Sequence, residues 1–209
     1  MKIAVVCANG KAGKLIVKEL VERKVNTTAI VRKENLSMAK QVIKKDMLDL
    51  TSDDLKDFDV VIDAFGTWAE ETLFMHSTTL KHLCDILSGT NTRLLVVGGA
   101  GSLYINPEHT LCLSDGDDFP DSYKPVASAM AKALAELRNR NDVKWTYLSP
   151  AAEFEEDGKR TGAYHLGGEE FMVNENGESI ISYADYAIAM VDEAINGNHI
   201  QKRISVISK

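Results

Sequence analysis

The chain has 209 residues, of which 44% are hydrophobic and 26% charged, and a formal net charge of -7. That length can hold one domain together without a disulfide or metal staple, and the acidic balance speaks against a sequence-independent nucleic-acid binder, which needs a basic surface. Three widely spaced cysteines, Cys7, Cys84 and Cys112, form no CxxC pair, so neither a disulfide framework nor a zinc knuckle is expected, and a cytoplasmic location is.

Residues 2–7 are a brief apolar run with no longer apolar core or cleavage site behind it, so they read as a first strand and not as a signal peptide. No run reaches the roughly 20 apolar residues of a membrane span. A glycine-containing turn follows. Residues 13–23 then place Ile16 and Leu20 on one face of a helix. Further strands are expected at 27–31, 60–64, 93–97 and 145–148, and a weaker one at 41–44. These short runs are almost continuously aliphatic, as in strands covered on both faces of a parallel sheet. Helical spacing marks 70–87, through Leu73, Leu80, Leu83 and Leu87, and 122–140, through Ala127, Met130, Leu134 and Leu137.

Alternating strands and helices predict right-handed βαβ units, and so a Rossmann-like, doubly wound α/β sheet. After Pro150 the pattern changes. Residues 153–162 are polar, 164–173 and 179–181 read as short strands, and Ser182 caps a helix to about 195 with Asp185 at its third position. A last strand is expected at 204–207. Residues 1–209 are therefore read as one domain, with about 151–181 as a small cap over the sheet's C-terminal edge.

The motif that carries chemistry is the first strand-to-helix turn, Cys7-Ala8-Asn9-Gly10-Lys11-Ala12-Gly13. A nucleotide pyrophosphate needs backbone N–H groups at a helix N-terminus and close approach without side chains, which Gly10 and Gly13 allow. The usual spacing is G-x-x-G-x-x-G. Here Cys7 holds the first position, although cysteine adopts positive φ less freely than glycine. At the end of the second strand stands Arg32, followed by Lys33. An acidic residue there binds the ribose 2′-hydroxyl of NAD, whereas a basic one accommodates the 2′-phosphate of NADP, so NADP(H) is favoured over NAD(H). Asp46, after the weaker strand, is a candidate adenine neighbour.

After the loop Ala8-Asn9-Gly10-Lys11-Ala12-Gly13, four further stretches stand in order along the chain: Val96-Val97-Gly98-Gly99-Ala100-Gly101-Ser102-Leu103, Leu148-Ser149-Pro150-Ala151, Gly158-Lys159-Arg160-Thr161-Gly162 and Ile181-Ser182-Tyr183-Ala184-Asp185-Tyr186-Ala187. With them the sequence resembles the NmrA-like atypical short-chain dehydrogenases, in particular the bacterial proteins called NADH-flavin reductases. The resemblance implies a Rossmann-like fold and hydride transfer from a reduced nicotinamide to a flavin or similar small acceptor. It also places Ser149 and Pro150 at the nicotinamide end.

One element of ordinary short-chain dehydrogenases is missing. Their Tyr-x-x-x-Lys pair lowers the tyrosine pKa for proton transfer. Four residues after Tyr104, Tyr123, Tyr147, Tyr164, Tyr183 and Tyr186 stand Glu108, Ala127, Ala151, Gly168, Ala187 and Met190. A flavin or quinone acceptor is compatible with that absence, because its reduced ring delocalises charge and takes a proton from water, leaving orientation to the protein.

Ligands of open α/β sheets bind at the C-terminal strand ends. That adds Ala64, Phe65, Gly66, Gly98 and Gly99 to the cofactor candidates. Trp68, Ser102, Ser149, Pro150 and Arg160 are the substrate candidates, with Phe65 or Trp68 able to stack on a flat ring and Arg160 able to meet a flavin phosphate. The catalytic assignment is open between Ser102 and Tyr123. The histidines lack ligand spacing, so no metal site is expected. The competing reading is a redox sensor or regulatory module that binds the dinucleotide without turnover. A nucleotide-sugar epimerase relative is disfavoured by the short C-terminal segment. Oligomeric state is not legible.

Overall fold

Strands buried on both faces must be covered on both sides, and the chain meets that demand with four long helices around one sheet. The computed structural model describes all 209 residues. In chain order the elements are β1 (Lys2–Val6), α1 (Lys11–Glu22), β2 (Asn26–Val31), β3 (Gln41–Lys44), α2 (Ser52–Leu55), β4 (Val60–Asp63), α3 (Met75–Leu87), β5 (Arg93–Val97), α4 (Lys124–Leu137), β6 (Lys144–Ser149), β7 (Glu153–Glu155), β8 (Tyr164–Gly167), β9 (Ile180–Ser182), α5 (Tyr183–Asn196) and β10 (Lys202–Ser208). Eight strands pair in the order β3-β2-β1-β4-β5-β6-β10-β8. All neighbours are parallel except β8, which runs antiparallel to β10 at the edge.

Alternate residues of β1 feed two cores. Ile3 and Val5 pack with Ile16, Val17 and Leu20 of α1 and Met190 and Val191 of α5. Ala4 and Val6 pack on the other face with Leu80 and Leu83 of α3 and Leu134 and Leu137 of α4. A buried ion pair fastens the N-terminal end of the sheet to α5: Arg93 Nη2 meets Glu193 Oε1 at 2.7 Å, and Nη1 donates to the Glu193 and Ala194 carbonyls. This is the doubly wound, Rossmann-like sheet expected from the sequence. No helix is long and apolar enough to cross a membrane.

The differences from expectation are local. Helix 70–87 is a 3-10 turn, Glu70–Thr72, followed by α3 from Met75. Helix 122–140 likewise splits into a turn at Asp121–Tyr123 and α4, with Pro125 in its first turn, where no N–H is needed. Helix α2 was not expected. Its Thr51/Asp54 capping box was the available signal. Ser182 caps α5 as read, accepting from the Asp185 N–H at 3.0 Å.

Residues 151–181 do not form one cap. β7 and β9 make a two-stranded parallel ribbon, while residues 164–167 alone of the expected strand 164–173 leave it to extend the main sheet. Backbone pairing accounts for this, because β10 would otherwise expose an unpaired edge.

Helix α1 approaches the end of β1 backbone to backbone. A Cβ on Gly13 would lie 2.6 Å from the Cys7 carbonyl oxygen, whereas one on Gly10 would lie 3.3 Å from it. Backbone cannot yield as a side-chain tip does. Gly13→Ala should therefore cost about 1–3 kcal/mol in chemical denaturation, and Gly10→Ala less than about 1 kcal/mol; equal costs would show that the helix is free to shift.

Candidate functional site

Connections leave β1 and β4 in opposite directions along the sheet, and this switch point opens a crevice at the C-terminal strand ends. A cleft of about 440 Å³ lies there. One wall is the turn Cys7, Asn9 and Gly10. The second is Arg32, Lys33, Lys45, Asp46 and Met47, which follow β2 and β3. The third is Ala64, Phe65 and Gly66, which follow β4.

The turn is built for an anion. Gly10, which lines the cleft, is the N-cap of α1 and supplies no side-chain cap, so the first N–H groups of this 12-residue helix are left without a side-chain partner at that end. Cys7 adopts φ +57°, the left-handed conformation that glycine takes more freely. Its carbonyl accepts from the Gly10 N–H at 2.9 Å, closing the turn, and its Sγ lies 3.8 Å from Met47 Sδ. Burial, reinforced by Asp63, pushes the Cys7 thiol up to about 12. Asn9 serves the loop: its amide donates to the Glu34 carbonyl at 2.7 Å, and its oxygen accepts from the Leu36 N–H at 2.8 Å. It thereby holds the β2–β3 connection beside the cleft. Ala12 packs on the core. Lys11 turns to Glu156 beyond β7 and forms an ion pair with it.

The second wall is basic. Arg32 is 79% exposed and its nearest carboxylate, on Asp46, is 4.0 Å away. Asp46 also caps the following 3-10 turn, accepting from the Leu48 N–H at 3.0 Å. Lys45 adds a cation that the sequence reading missed. It is held by Asp54 at 2.6 Å, and the hydrogen bonds from Lys45 and Thr51 bring the Asp54 carboxyl down to about 2. Its place comes from strand pairing: the parallel register of β2 and β3 sets Val31 beside Lys44, which carries Arg32 and Lys45 out of the sheet side by side.

Several expected residues stand elsewhere. Gly98 and Gly99 do not line the cleft. Added Cβ atoms would lie 2.2 Å from the Tyr147 ring and 2.9 Å from Met130 Sδ, so these are packing glycines. Arg160 pairs with Glu19 of α1 at 3.0 Å and does not line the cleft. Ser149 and Pro150 are buried, the former with an unpartnered hydroxyl. Ser102 is half-buried in the loop after β5, its carbonyl accepting from Arg203 at 3.1 Å. Trp68 and Tyr123 are exposed at the C-terminal edge, with ring centroids 5.7 Å apart.

Asp63 is the other residue missed. It ends β4 on the α3/α4 side, and it borders a cavity of about 20 Å³ with Phe65, His76, Met130 and Tyr147, enough for one water. Its carboxylate accepts from the Phe65 N–H at 3.0 Å. Burial raises its carboxyl to about 6, against that hydrogen bond. A carboxyl with a folded pKa above its unfolded value stabilises the fold below the unfolded value, and that contribution is lost as pH rises through about 6. Asp63→Asn keeps the acceptor and removes the charge. It should stabilise the protein by about 2–3 kcal/mol at pH 8, with the gain fading below pH 5 in a series of thermal melts; a gain independent of pH would mean that Asp63 does not titrate in this range.

The comparisons agree with this geometry. The sequence model of the family described as NAD(P)H-binding matches residues 7–194, from the turn to the end of α5. YwnB of Bacillus subtilis (strain 168) is 43% identical over 212 residues, covering 100% of this chain and 99% of its own. Among solved structures, SP1627 of Streptococcus pneumoniae TIGR4, a "putative NADH-flavin reductase", is 54% identical, with a TM-score of 0.98 and full coverage of both chains. A "putative epimerase" from Bacteroides thetaiotaomicron is 34% identical with a TM-score of 0.86, covering 99% of this chain and 96% of that one. A glycine turn against a helix N-terminus, a switch-point cleft and whole-length similarity thus coincide, and the chain belongs to the NAD(P)H-binding family.

Proposed function

We propose that the chain is an NADPH-dependent reductase that passes hydride to a flavin or quinone-like small molecule. The observation that carries the cofactor half is the pairing of a glycine turn with Arg32, Lys33 and Lys45 on the facing wall of one cleft. The pyrophosphate would sit at the N-terminus of α1, and the adenosine 2′-phosphate between the ends of β2 and β3. Asp46 would face the adenine. The acceptor half rests on likeness to SP1627 and on the absence of a Tyr-x-x-x-Lys pair.

The bound dinucleotide supplies the hydride. The chain binds and orients it, and the loop 64–68 brings the acceptor beside it. Orientation of two bound reactants is itself a large part of the rate in such a reaction. One proton accompanies each hydride, and an electron-poor ring can take it from water, so Tyr123 need not donate it. Tyr123 is half-exposed, and the neighbouring Lys124 is engaged with Asp121 at 2.7 Å.

The alternative is a dinucleotide-binding sensor without turnover. The thiols speak against a cysteine-based version. Burial pushes Cys7 and Cys84 up to about 12 and raises Cys112, so each is held as the less reactive protonated form.

Titration of the pure protein with NADPH and NADH tests the cofactor assignment, and oxidation of NADPH in the presence of riboflavin or menadione tests turnover. Arg32→Ala should weaken NADPH by about tenfold or more, the loss of a charge-assisted phosphate contact at an exposed position, and NADH by less than about threefold. Equal weakening of both would remove the 2′-phosphate from the Arg32 site.

A further inference from the structure

Trp68 is 68% exposed and Tyr123 is 49% exposed, yet the two rings meet edge to face at 74°. They come from different connections, Trp68 from that following β4 and Tyr123 from that following β5, and both sit at the end of the sheet where the cleft opens. Trp68 stands two residues beyond Gly66, which lines the cleft. Its loop is pinned and not free to collapse. His76 Nε2 lies 3.1 Å from the Thr67 carbonyl, and the Thr67 and Thr72 hydroxyls are 2.5 Å apart. An indole held open to solvent with a second ring across it forms a corner, one face of which is available to a flat ring.

The two connections that carry these rings are one-sided in charge. Residues 67–72 and 115–124 hold six acidic side chains, Glu70, Glu71, Asp115, Asp117, Asp118 and Asp121, and one cation, Lys124. That lysine is neutralised by Asp121 at 2.7 Å. Arg160, the arginine expected to meet a flavin phosphate, is tied to Glu19.

We propose that Trp68 and Tyr123 form the docking corner for an uncharged planar acceptor, riboflavin-like or quinone-like, and that the surrounding carboxylates turn away phosphorylated flavins. This rests on the reductase reading. The reaction is NADPH plus a proton from water plus the oxidised ring, giving NADP⁺ and the dihydro ring. Two electrons and one proton leave the cofactor as hydride, and no other reductant is needed. Stacking on Trp68 fixes the ring plane, and the acidic rim sets which rings arrive.

The test compares riboflavin, FMN and menadione as acceptors at low and high salt. Riboflavin and menadione should exceed FMN in kcat/KM by about tenfold at low ionic strength, and the gap should close by 0.5 M salt, roughly the range where screening falls to a few ångströms. Trp68→Ala should raise KM for riboflavin about tenfold and leave KM for NADPH within about twofold, with Trp68→Phe recovering most of the loss. The triple variant Glu70→Gln, Asp117→Asn, Asp118→Asn should narrow the riboflavin–FMN gap. FMN used as well as riboflavin at low salt, or Trp68→Ala without effect on either flavin, overturns the proposal. If no acceptor is reduced, the reductase reading fails by itself, and quenching of riboflavin fluorescence by the NADP⁺-loaded protein decides the corner. Quenching lost in Trp68→Ala and weaker for FMN sustains it, whereas equal quenching of the two flavins, or none, overturns it.

Discussion

The structure depends on the contact between Gly13 of α1 and the carbonyl of Cys7, where a single methyl group would stand 2.6 Å from backbone oxygen. Removing the side chain there lets the helix axis lie close against the end of β1. The same approach aims the helix's first N–H groups across the strand end into the switch-point crevice. Everything polar in the cleft is arranged around that direction. The turn's carbonyl closes on Gly10, Asn9 fastens the neighbouring connection, and the basic residues after β2 and β3 face the helix end from the opposite wall. A favourable field for phosphate therefore follows from packing before any charged side chain is considered.

Cys7 shows how that constraint is met without a first glycine. At φ +57° its backbone is strained by about 1–2 kcal/mol relative to glycine. It is retained there by the core beneath it and by its contact with Met47. The thiol is half-buried and its pKa is raised, so a sulfur atom stands at the turn without adding a negative charge to the cleft. Asp63, one strand away, is the contrasting case. It is a carboxyl placed below the cofactor loop with one hydrogen bond, and burial discourages its charge for the same reason.

The strands were legible because both their faces are buried, which leaves an unbroken aliphatic record in the sequence. β3 was the weakest because it is an edge strand with largely exposed side chains. Helix starts were less legible. At Glu70 and Asp121 the chain makes a 3-10 turn before the long helix, and periodicity does not separate the two. β7 was invisible, since Glu-Phe-Glu carries too little pattern and its partner β9 is 25 residues on. In the cleft, the turn and Arg32 could be read from residue type and order. Lys45 could not, because its place depends on strand register. Gly98 and Gly99 were read as cofactor glycines, but glycine serves close approach to any neighbour, and here the neighbours are Tyr147 and Met130.

That ambiguity of glycine bears on how the two halves of the site are specified. The cofactor half is written in backbone: turn, helix end and strand register, with a few cations added. Such a site survives wide sequence change, which fits a family defined by nucleotide binding and a 34% identical relative that bears an epimerase name. The proposed acceptor corner, by contrast, is written in side chains on two connections, Trp68 with its acidic neighbours and Tyr123 at the entry to α4. Their rings touch only because β4 and β5 are adjacent in the sheet, so the fold supplies the meeting place and the loops supply its chemistry. Substitutions at those loop tips can alter what meets there while leaving the cleft and both cores intact.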